Sequence, residues 1–153
     1  MKVIKTKSDL ETINLGIKIG KLIKDLKVVI LLEGDLAAGK TTLTKGIAKG
    51  LGINEIIKSP TFTIMKKYQI NETKAFYHLD LYRLSEIGLD FDLEEYIYED
   101  NSIVVIEWPN QVEDLIPIDH IKIKLTGFNE ARTIAITSTN EELSKVVEKI
   151  WKS

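Results

Sequence analysis

The sequence contains no cysteine. This absence excludes disulfide bonds, catalysis by a thiolate and the usual cysteine-containing zinc patterns. It also fits a reducing compartment, in which disulfides are rare. We therefore expect a cytoplasmic protein.

Long apolar runs and clusters of basic residues are also missing. A transmembrane helix needs about 20 consecutive apolar residues, and the N-terminal segment MKVIKTKSD has no apolar signal region, so we expect no membrane association. The formal net charge is −2, and the sequence contains no block of lysine or arginine residues that could bind a nucleic acid backbone. If RNA takes part in the function, we expect a partner protein to hold it.

The length of 153 residues, with 44% hydrophobic and 29% charged residues, predicts one globular domain over 1–153 with a substantial core. Ser8 with Glu11, and Thr139 with Glu142, match the capping box that begins a helix. Hydrophobic periodicity predicts helices over 9–24, 40–51 and the C-terminal segment. The acidic and aromatic segment 85–100, which Gly88 interrupts, predicts short helical turns. The predicted strands cover 28–32, 61–70, 74–79, 103–106, 120–125 and 131–137, with a loop over 109–117 and a turn over 127–130.

Helices and strands that alternate around a buried central strand predict an α/β fold. The hairpin predicted after the second helix would make the sheet mixed. We therefore expect a three-layer fold like that of P-loop NTPases, with a mixed, mostly parallel central sheet. Ligands in such sheets bind beyond the carboxyl ends of the strands.

Residues 34–41 read GDLAAGKT, which matches the phosphate-binding pattern G-x-x-x-x-G-K-[ST]. A glycine loop can also serve only to turn the chain. Here, however, an apolar strand precedes the loop and a helix follows it, as a P-loop requires. The sequence therefore predicts a nucleoside triphosphate site.

Each residue type in the pattern has a chemical role. Gly34 and Gly39 allow the backbone to curl so that its N–H groups point at phosphate oxygens. Lys40 would place a positive charge near the β- and γ-phosphates, and the Thr41 hydroxyl would coordinate Mg²⁺. The N-terminus of the helix adds its partial positive charge.

A P-loop site also needs a carboxylate near Mg²⁺, and the usual donor follows an apolar strand. Asp80 and Glu107 both stand in such a position. Either acid could instead cap a helix or be solvated at a strand end. With two candidates, we expect at least one to face the metal or the attacking water.

Other residues near these acids allow two interpretations. Trp108 could pack in the core or face the nucleotide, and the hydroxyls of Ser59 and Thr61 could sense the γ-phosphate or belong to a simple turn. We interpret the isolated histidines, His78 and His120, as structural.

Four segments together carry a more specific signal. They are GDLAAGKTT from Gly34, SPTFT from Ser59, YHLDLYRL from Tyr77 and IEWP from Ile106. In order and spacing they resemble the TsaE family, formerly called YjeE, over almost the whole chain. The resemblance implies a bacterial ATPase that acts with TsaB and TsaD to make threonylcarbamoyladenosine in tRNAs that read codons beginning with A. It also implies that the partners hold the tRNA and transfer the carbamoyl group.

The resemblance implies roles for individual residues. Lys40, Asp80 and Glu107 would be catalytic, with Asp80 near the water, and Thr41, Glu107 and Asp80 would surround Mg²⁺. Thr61 would lie in a switch-like segment over 59–62, and Trp108 would lie beside the nucleotide. Arg132 would reach the adenine side of the nucleotide. The phosphates would lie on Gly34, Asp35, Leu36, Ala37, Ala38, Gly39, Lys40, Thr41 and Thr42.

Two features bear on how complete this site is. The family usually has glycine at the position of Ala37, and alanine tolerates positive φ poorly, so we expect a slightly stiffer loop that still binds. The chain has only two arginines, Arg83 and Arg132. Arg83 is therefore a candidate arginine finger, and a partner could complete the site and accelerate slow intrinsic hydrolysis.

Two other functions use a P-loop. A small-molecule kinase would need a second pocket and an arginine-bearing lid, which two separated arginines do not suggest. A GTP switch would need N/T-K-x-D after a later strand together with D-x-x-G, but the TKSD match at residues 6–9 precedes the P-loop and D-x-x-G is absent. We therefore favour ATP and retain the kinase as the alternative.

Overall fold

The computed structural model describes residues 2–35, 38–57, 64–82 and 93–151. Seven strands form one sheet, in the order β1-β7-β6-β2-β5-β4-β3. All strands except β3 and β7 run in the same direction, so the prediction of a mixed, mostly parallel sheet is confirmed. The strands are β1 (Lys2–Thr6), β2 (Val28–Glu33), β3 (Met65–Gln69), β4 (Ala75–Asp80), β5 (Ser102–Glu107), β6 (Ile121–Phe128) and β7 (Ala131–Ser138).

The helices lie on both faces of this sheet. They are α1 (Asp9–Ile23), α2 (Lys40–Gly50), α3 (Leu93–Ile97) and α4 (Glu141–Trp151), together with a 3₁₀ helix (Pro109–Leu115). The bounds of α1 and α2 agree with the prediction within one residue. Among the residues that the structure describes, no helix is long and apolar enough to cross a membrane.

The central strands β2 and β5 explain the continuous apolar runs of the sequence. Each has a parallel neighbour on both sides, so successive side chains point into two different cores. Ile30 and Val105 pack toward α1, α2 and α4, whereas Leu31 and Val104 pack on the opposite face with Tyr77 and the α3 side chains. The three-layer prediction is therefore confirmed.

Four glycines bring α1 and α2 into backbone contact. Gly16 and Gly20 of α1 face Gly46 and Gly50 of α2. A Cβ atom on Gly46 would lie only 2.3 Å from the Ile13 carbonyl oxygen, so no larger residue fits without displacing a helix. This close contact holds the helix that follows the P-loop against the body of the protein.

Several predicted details are wrong. The segment 109–117 is mostly a 3₁₀ helix rather than a loop; Pro109 is its first residue, where proline has a favourable φ and no missing hydrogen bond. The sequence patterns also missed β1, which forms one edge of the sheet by pairing with β7. Its short segment mixes charged and apolar residues, and only the pairing with β7 identifies it as a strand.

The cap of α4 and the preceding turn also differ from prediction. Asn140, not Thr139, caps the helix, because its Oδ1 accepts from the Leu143 N–H at 2.8 Å. The Thr139 hydroxyl instead accepts from the His120 N–H at 2.8 Å. Strand β6 continues through Gly127, and the turn to β7 consists only of Asn129 and Glu130, with Asn129 at a φ of 58°.

Candidate functional site

The glycine loop connects β2 to α2, as predicted. Gly39 directly precedes the first residue of α2 and has a φ of 98°, which residues other than glycine rarely adopt. A Cβ atom on Gly39 would also lie 2.8 Å from Arg132 Nε. Leu36 and Ala37, at the centre of the loop, lie outside the described residues, so the prediction that Ala37 stiffens the loop stays a prediction.

Lys40 lies inside this loop rather than in solvent. Its side chain is only 5% exposed, and Nζ donates to the carbonyl oxygen of Gly34 at 2.7 Å. Burial lowers the pKa of Lys40, while the carboxylates of Glu107, Asp80 and Asp35 oppose that shift. The ammonium group is therefore held at the loop with acidic groups around it.

The two candidate acids end neighbouring strands. Asp80 of β4 and Glu107 of β5 are register partners in a parallel pair, so both lie at the same edge of the sheet. Both carboxylates act on the charge of Lys40. Glu107 is only 3% exposed, whereas Asp80 is half-buried and its Oδ1 accepts from the Tyr82 N–H at 3.2 Å.

His78 belongs to this group of residues. Its ring is fully buried, and its Nε2 is hydrogen-bonded to Oε2 of Glu107. The interpretation of His78 as isolated is therefore wrong. The sequence carried a signal that could have found it: His78 lies two residues before Asp80 on a strand, and residues two apart share one face of a sheet.

Trp108, which directly follows Glu107 in the chain, lies beside Lys40. Its backbone is left-handed, with a φ of 60°, and the Lys40 Nζ lies 3.7 Å from the centroid of its ring. A cavity of about 510 Å³ begins here, lined by Trp108, by Glu33, Gly34, Asp35 and Ala38 around the loop, and by residues 124–127 of β6. The cavity is of the size that small-molecule ligands occupy.

Arg132 approaches the loop from β7. Its side chain is 9% exposed, and one guanidinium nitrogen, Nη1, donates to the Ala131 carbonyl oxygen at 3.0 Å. The Nε, Cδ and Cγ atoms of Arg132 occupy the space next to Gly39 that a Cβ atom would need. The structure therefore brings Arg132 to the glycine loop, although the two residues are far apart in the sequence.

Comparison with known proteins decides the family. The family model described as "Threonylcarbamoyl adenosine biosynthesis protein TsaE" matches residues 6–134. The chain belongs to the TsaE family. Its role therefore lies in the biosynthesis of threonylcarbamoyladenosine in tRNA.

Individual TsaE proteins agree with this assignment. The tRNA threonylcarbamoyladenosine biosynthesis protein TsaE of Bacillus subtilis (strain 168) is 40% identical over 124 residues, which cover 80% of this chain and 77% of the relative. The protein of the same name from Nostoc sp. (strain PCC 7120) is 43% identical over 141 residues, which cover 89% of this chain and 85% of the relative. The crystal structure of Bacillus YdiB superposes with a TM-score of 0.79 at 31% identity and covers 99% of this chain and 94% of YdiB.

The donor set of this TsaE chain fits a magnesium ion. Thr41 and Thr42 are half-buried residues in the first turn of α2, and the carboxylates of Asp80 and Glu107 lie at the adjacent sheet edge. Hydroxyl and carboxylate oxygens are ligands that Mg²⁺ prefers, and the ion usually keeps several waters. The described residues contain no cluster of three or more His, Cys, Asp and Glu side chains that could enclose a metal alone.

Some predicted site residues cannot be placed. Thr61 and the rest of the switch-like segment over 59–62 lie outside the described residues, as does Arg83. Their roles stay predictions. The described site therefore consists of the loop from Gly34 to Thr42 without its centre, the acids Asp80 and Glu107, and the flanking residues Trp108 and Arg132.

Proposed function

We propose that this TsaE chain binds Mg²⁺ and ATP and hydrolyses ATP to sustain tRNA threonylcarbamoyladenosine synthesis by TsaB and TsaD. One observation carries the proposal. The buried ammonium of Lys40 lies where a strand, a glycine loop and a helix follow one another. It interacts electrostatically with Glu107 and Asp80 at the ends of two neighbouring strands. This arrangement combines a phosphate site with carboxylates suited to metal and water.

Binding would use the loop amides and the N-terminus of α2 to hold the phosphates. Lys40 would exchange its hydrogen bond with the Gly34 carbonyl for bonds to phosphate oxygens, which carry full negative charge. The nucleoside would occupy the cavity beside Trp108, and Arg132 would approach it from β7. The size of the cavity and the nearby loop support this orientation.

Hydrolysis would proceed by in-line attack of water on the γ-phosphorus. The new P–O bond forms as the bond to the β-phosphate oxygen breaks, and Asp80 orients the water and accepts its proton. Lys40 balances charge that spreads over the phosphoryl oxygens. Mg²⁺, held by Thr41 and Glu107, would neutralise phosphate charge when it is bound.

The proposed partners account for what this chain does not supply by itself. The net charge of −2 does not suggest a tRNA-binding surface, which fits a division of labour in which TsaB and TsaD hold the tRNA. A slow intrinsic rate is expected if the arginine finger is incomplete without a partner.

Calorimetry and hydrolysis assays test the proposal. We expect a non-hydrolysable ATP analogue with Mg²⁺ to bind the wild-type chain, and Lys40→Met to weaken binding at least tenfold because a charge-assisted hydrogen bond is lost. Lys45→Met, at an exposed position of α2, is the matched control. No heat from the wild-type chain would refute nucleotide binding.

Assays with partners separate the remaining parts of the proposal. ATP hydrolysis is measured for the chain alone and with TsaB and TsaD, and we expect the partners to increase the rate. Equal rates would remove the partners from the hydrolytic step. A phosphorylated small-molecule acceptor in place of free phosphate would favour a kinase.

A further inference from the structure

The buried contact between His78 and Glu107 is the starting point. His78 lies on β4 and is 0% exposed, and Glu107 ends the adjacent strand β5 and is 3% exposed. Their side chains meet through His78 Nε2 and Glu107 Oε2. A carboxylate removed from water needs hydrogen-bond partners to remain in place, and the buried His78 ring lies within hydrogen-bonding distance of Glu107.

The register of the sheet explains why these two side chains can meet. Asp80 is the register partner of Glu107, and His78 is the partner of Val105. His78 and Glu107 are thus two residues apart in register and lie on the same sheet face, where their side chains meet. Asp80, on that same face, remains at the more exposed end of β4.

The second ring nitrogen argues against a purely structural role. Among the described residues, Nδ1 of His78 has no hydrogen-bond partner although it is buried. A buried polar atom without a partner is destabilising, so an apolar residue such as leucine would suit a position that served only packing. Within the part of the chain that the structure describes, the hydrogen bond of His78 to Glu107 is an interaction that an apolar residue cannot replace.

We propose that His78 is a positioning residue that orients the carboxylate of Glu107 toward the metal side of the P-loop. His78 Nε2 donates to Oε2, and Oε1 is then available as an oxygen ligand. Loss of a residue that hydrogen-bonds to a metal ligand typically lowers the metal affinity by about 10- to 100-fold. The inference rests on the proposed function, because it presumes that Glu107 takes part in binding Mg²⁺.

Nucleotide binding measured with and without Mg²⁺ tests this role without relying on hydrolysis. Calorimetry gives the affinity for a non-hydrolysable ATP analogue in both conditions, and the ratio is the gain due to Mg²⁺. We expect His78→Leu to reduce this gain about 10-fold or more, with little change in the affinity measured without metal. His78→Gln, which can retain a donor near Nε2, is expected to restore part of the gain.

His120→Gln is the matched control, because the His120 ring contacts the Pro117 carbonyl rather than an acid. Its gain from Mg²⁺ should equal that of the wild type. An unchanged gain in both His78 variants would overturn the positioning role. A wild-type chain that binds nucleotide with no gain from Mg²⁺ would instead refute the proposed metal site.

Nitrogen NMR of the wild-type imidazole provides a second measurement that does not depend on whether the variants fold. We expect the His78 ring to carry a proton on Nε2 and to show a hydrogen-bonded N–H signal. Detection of the proton on Nδ1 alone would overturn the proposal, because Nε2 could not then donate to Glu107.

Discussion

The ammonium of Lys40 lies 3.7 Å from the centroid of the Trp108 ring. A cation over an aromatic face is attracted to the ring electrons, and the attraction grows when both groups are shielded from water. The same ammonium donates to the Gly34 carbonyl oxygen. Trp108 and the glycine loop therefore hold Lys40 between them, and a phosphate would have to draw the lysine away from both.

This relationship predicts that nucleotide binding changes the fluorescence of Trp108. The chain has two tryptophans, so Trp151→Phe leaves Trp108 as the single reporter. We expect the emission of this variant to change during titration with an ATP analogue and Mg²⁺, because the charge next to the indole moves to the phosphates. Lys40→Met in the same background should respond little. Binding detected by calorimetry with constant emission would show that Lys40 stays over the ring.

Asp80→Asn should separate hydrolysis from binding. Asparagine has nearly the same shape but cannot accept a proton from water as a carboxylate does, so we expect the hydrolysis rate to fall about 100-fold or more. Nucleotide affinity should change less than tenfold, because Glu107 and the loop remain. Phosphate release and calorimetry measure the two quantities, and the exposed Asp119→Asn is the control. A normal rate in Asp80→Asn would exclude Asp80 from the chemical step.

Gly46→Ala should destabilise the protein although it adds one methyl group. The new Cβ atom would meet the Ile13 carbonyl oxygen at 2.3 Å, so α1 and α2 would have to move apart. We expect the free energy of unfolding to fall by about 1–3 kcal/mol, measured by urea denaturation. Lys45→Ala, on the exposed side of the same helix, should have little effect. Equal stability of the wild type and Gly46→Ala would refute the close contact.

Lys74 should make stability depend on pH. Its side chain is 5% exposed, and Nζ donates to the Leu26 carbonyl oxygen at 2.6 Å. Burial lowers the pKa of Lys74 from its ordinary value of 10.5, with Asp25 opposing the shift. Between the lowered pKa and 10.5 the unfolded chain binds more protons, so this residue's contribution to the free energy of unfolding rises with pH.

The measurement compares wild type with Lys74→Met by urea denaturation at several pH values. The stability of the wild type minus that of the variant should increase as pH approaches 10.5, because other titrating groups cancel in the difference. The exposed Lys66→Met is the matched control for the loss of a lysine charge. A difference that falls with rising pH would contradict the lowered pKa.

Local patterns predicted much of the fold because they report interactions between neighbours in the chain. The Ser8 cap of α1 was correct since its hydroxyl accepts from the Glu11 N–H only three residues away. At α4 the same pattern was misleading, because the Thr139 hydroxyl contacts the backbone of His120, directly before β6, and Asn140 caps the helix instead. A capping pattern shows which side chain can form a hydrogen bond with its own helix. That side chain can instead form a hydrogen bond with a residue far away in the sequence.

The sequence by itself determined the glycine loop, the lysine within it and the two acids at strand ends, since each follows from residue order and backbone torsion over a few positions. Only the tertiary structure decided that Asp80 stands opposite Glu107, that His78 contacts Glu107 and that Arg132 covers Gly39. These contacts depend on strand order and register. Register is set by packing and pairing between segments far apart in the chain. A short stretch of sequence therefore does not determine the register by itself.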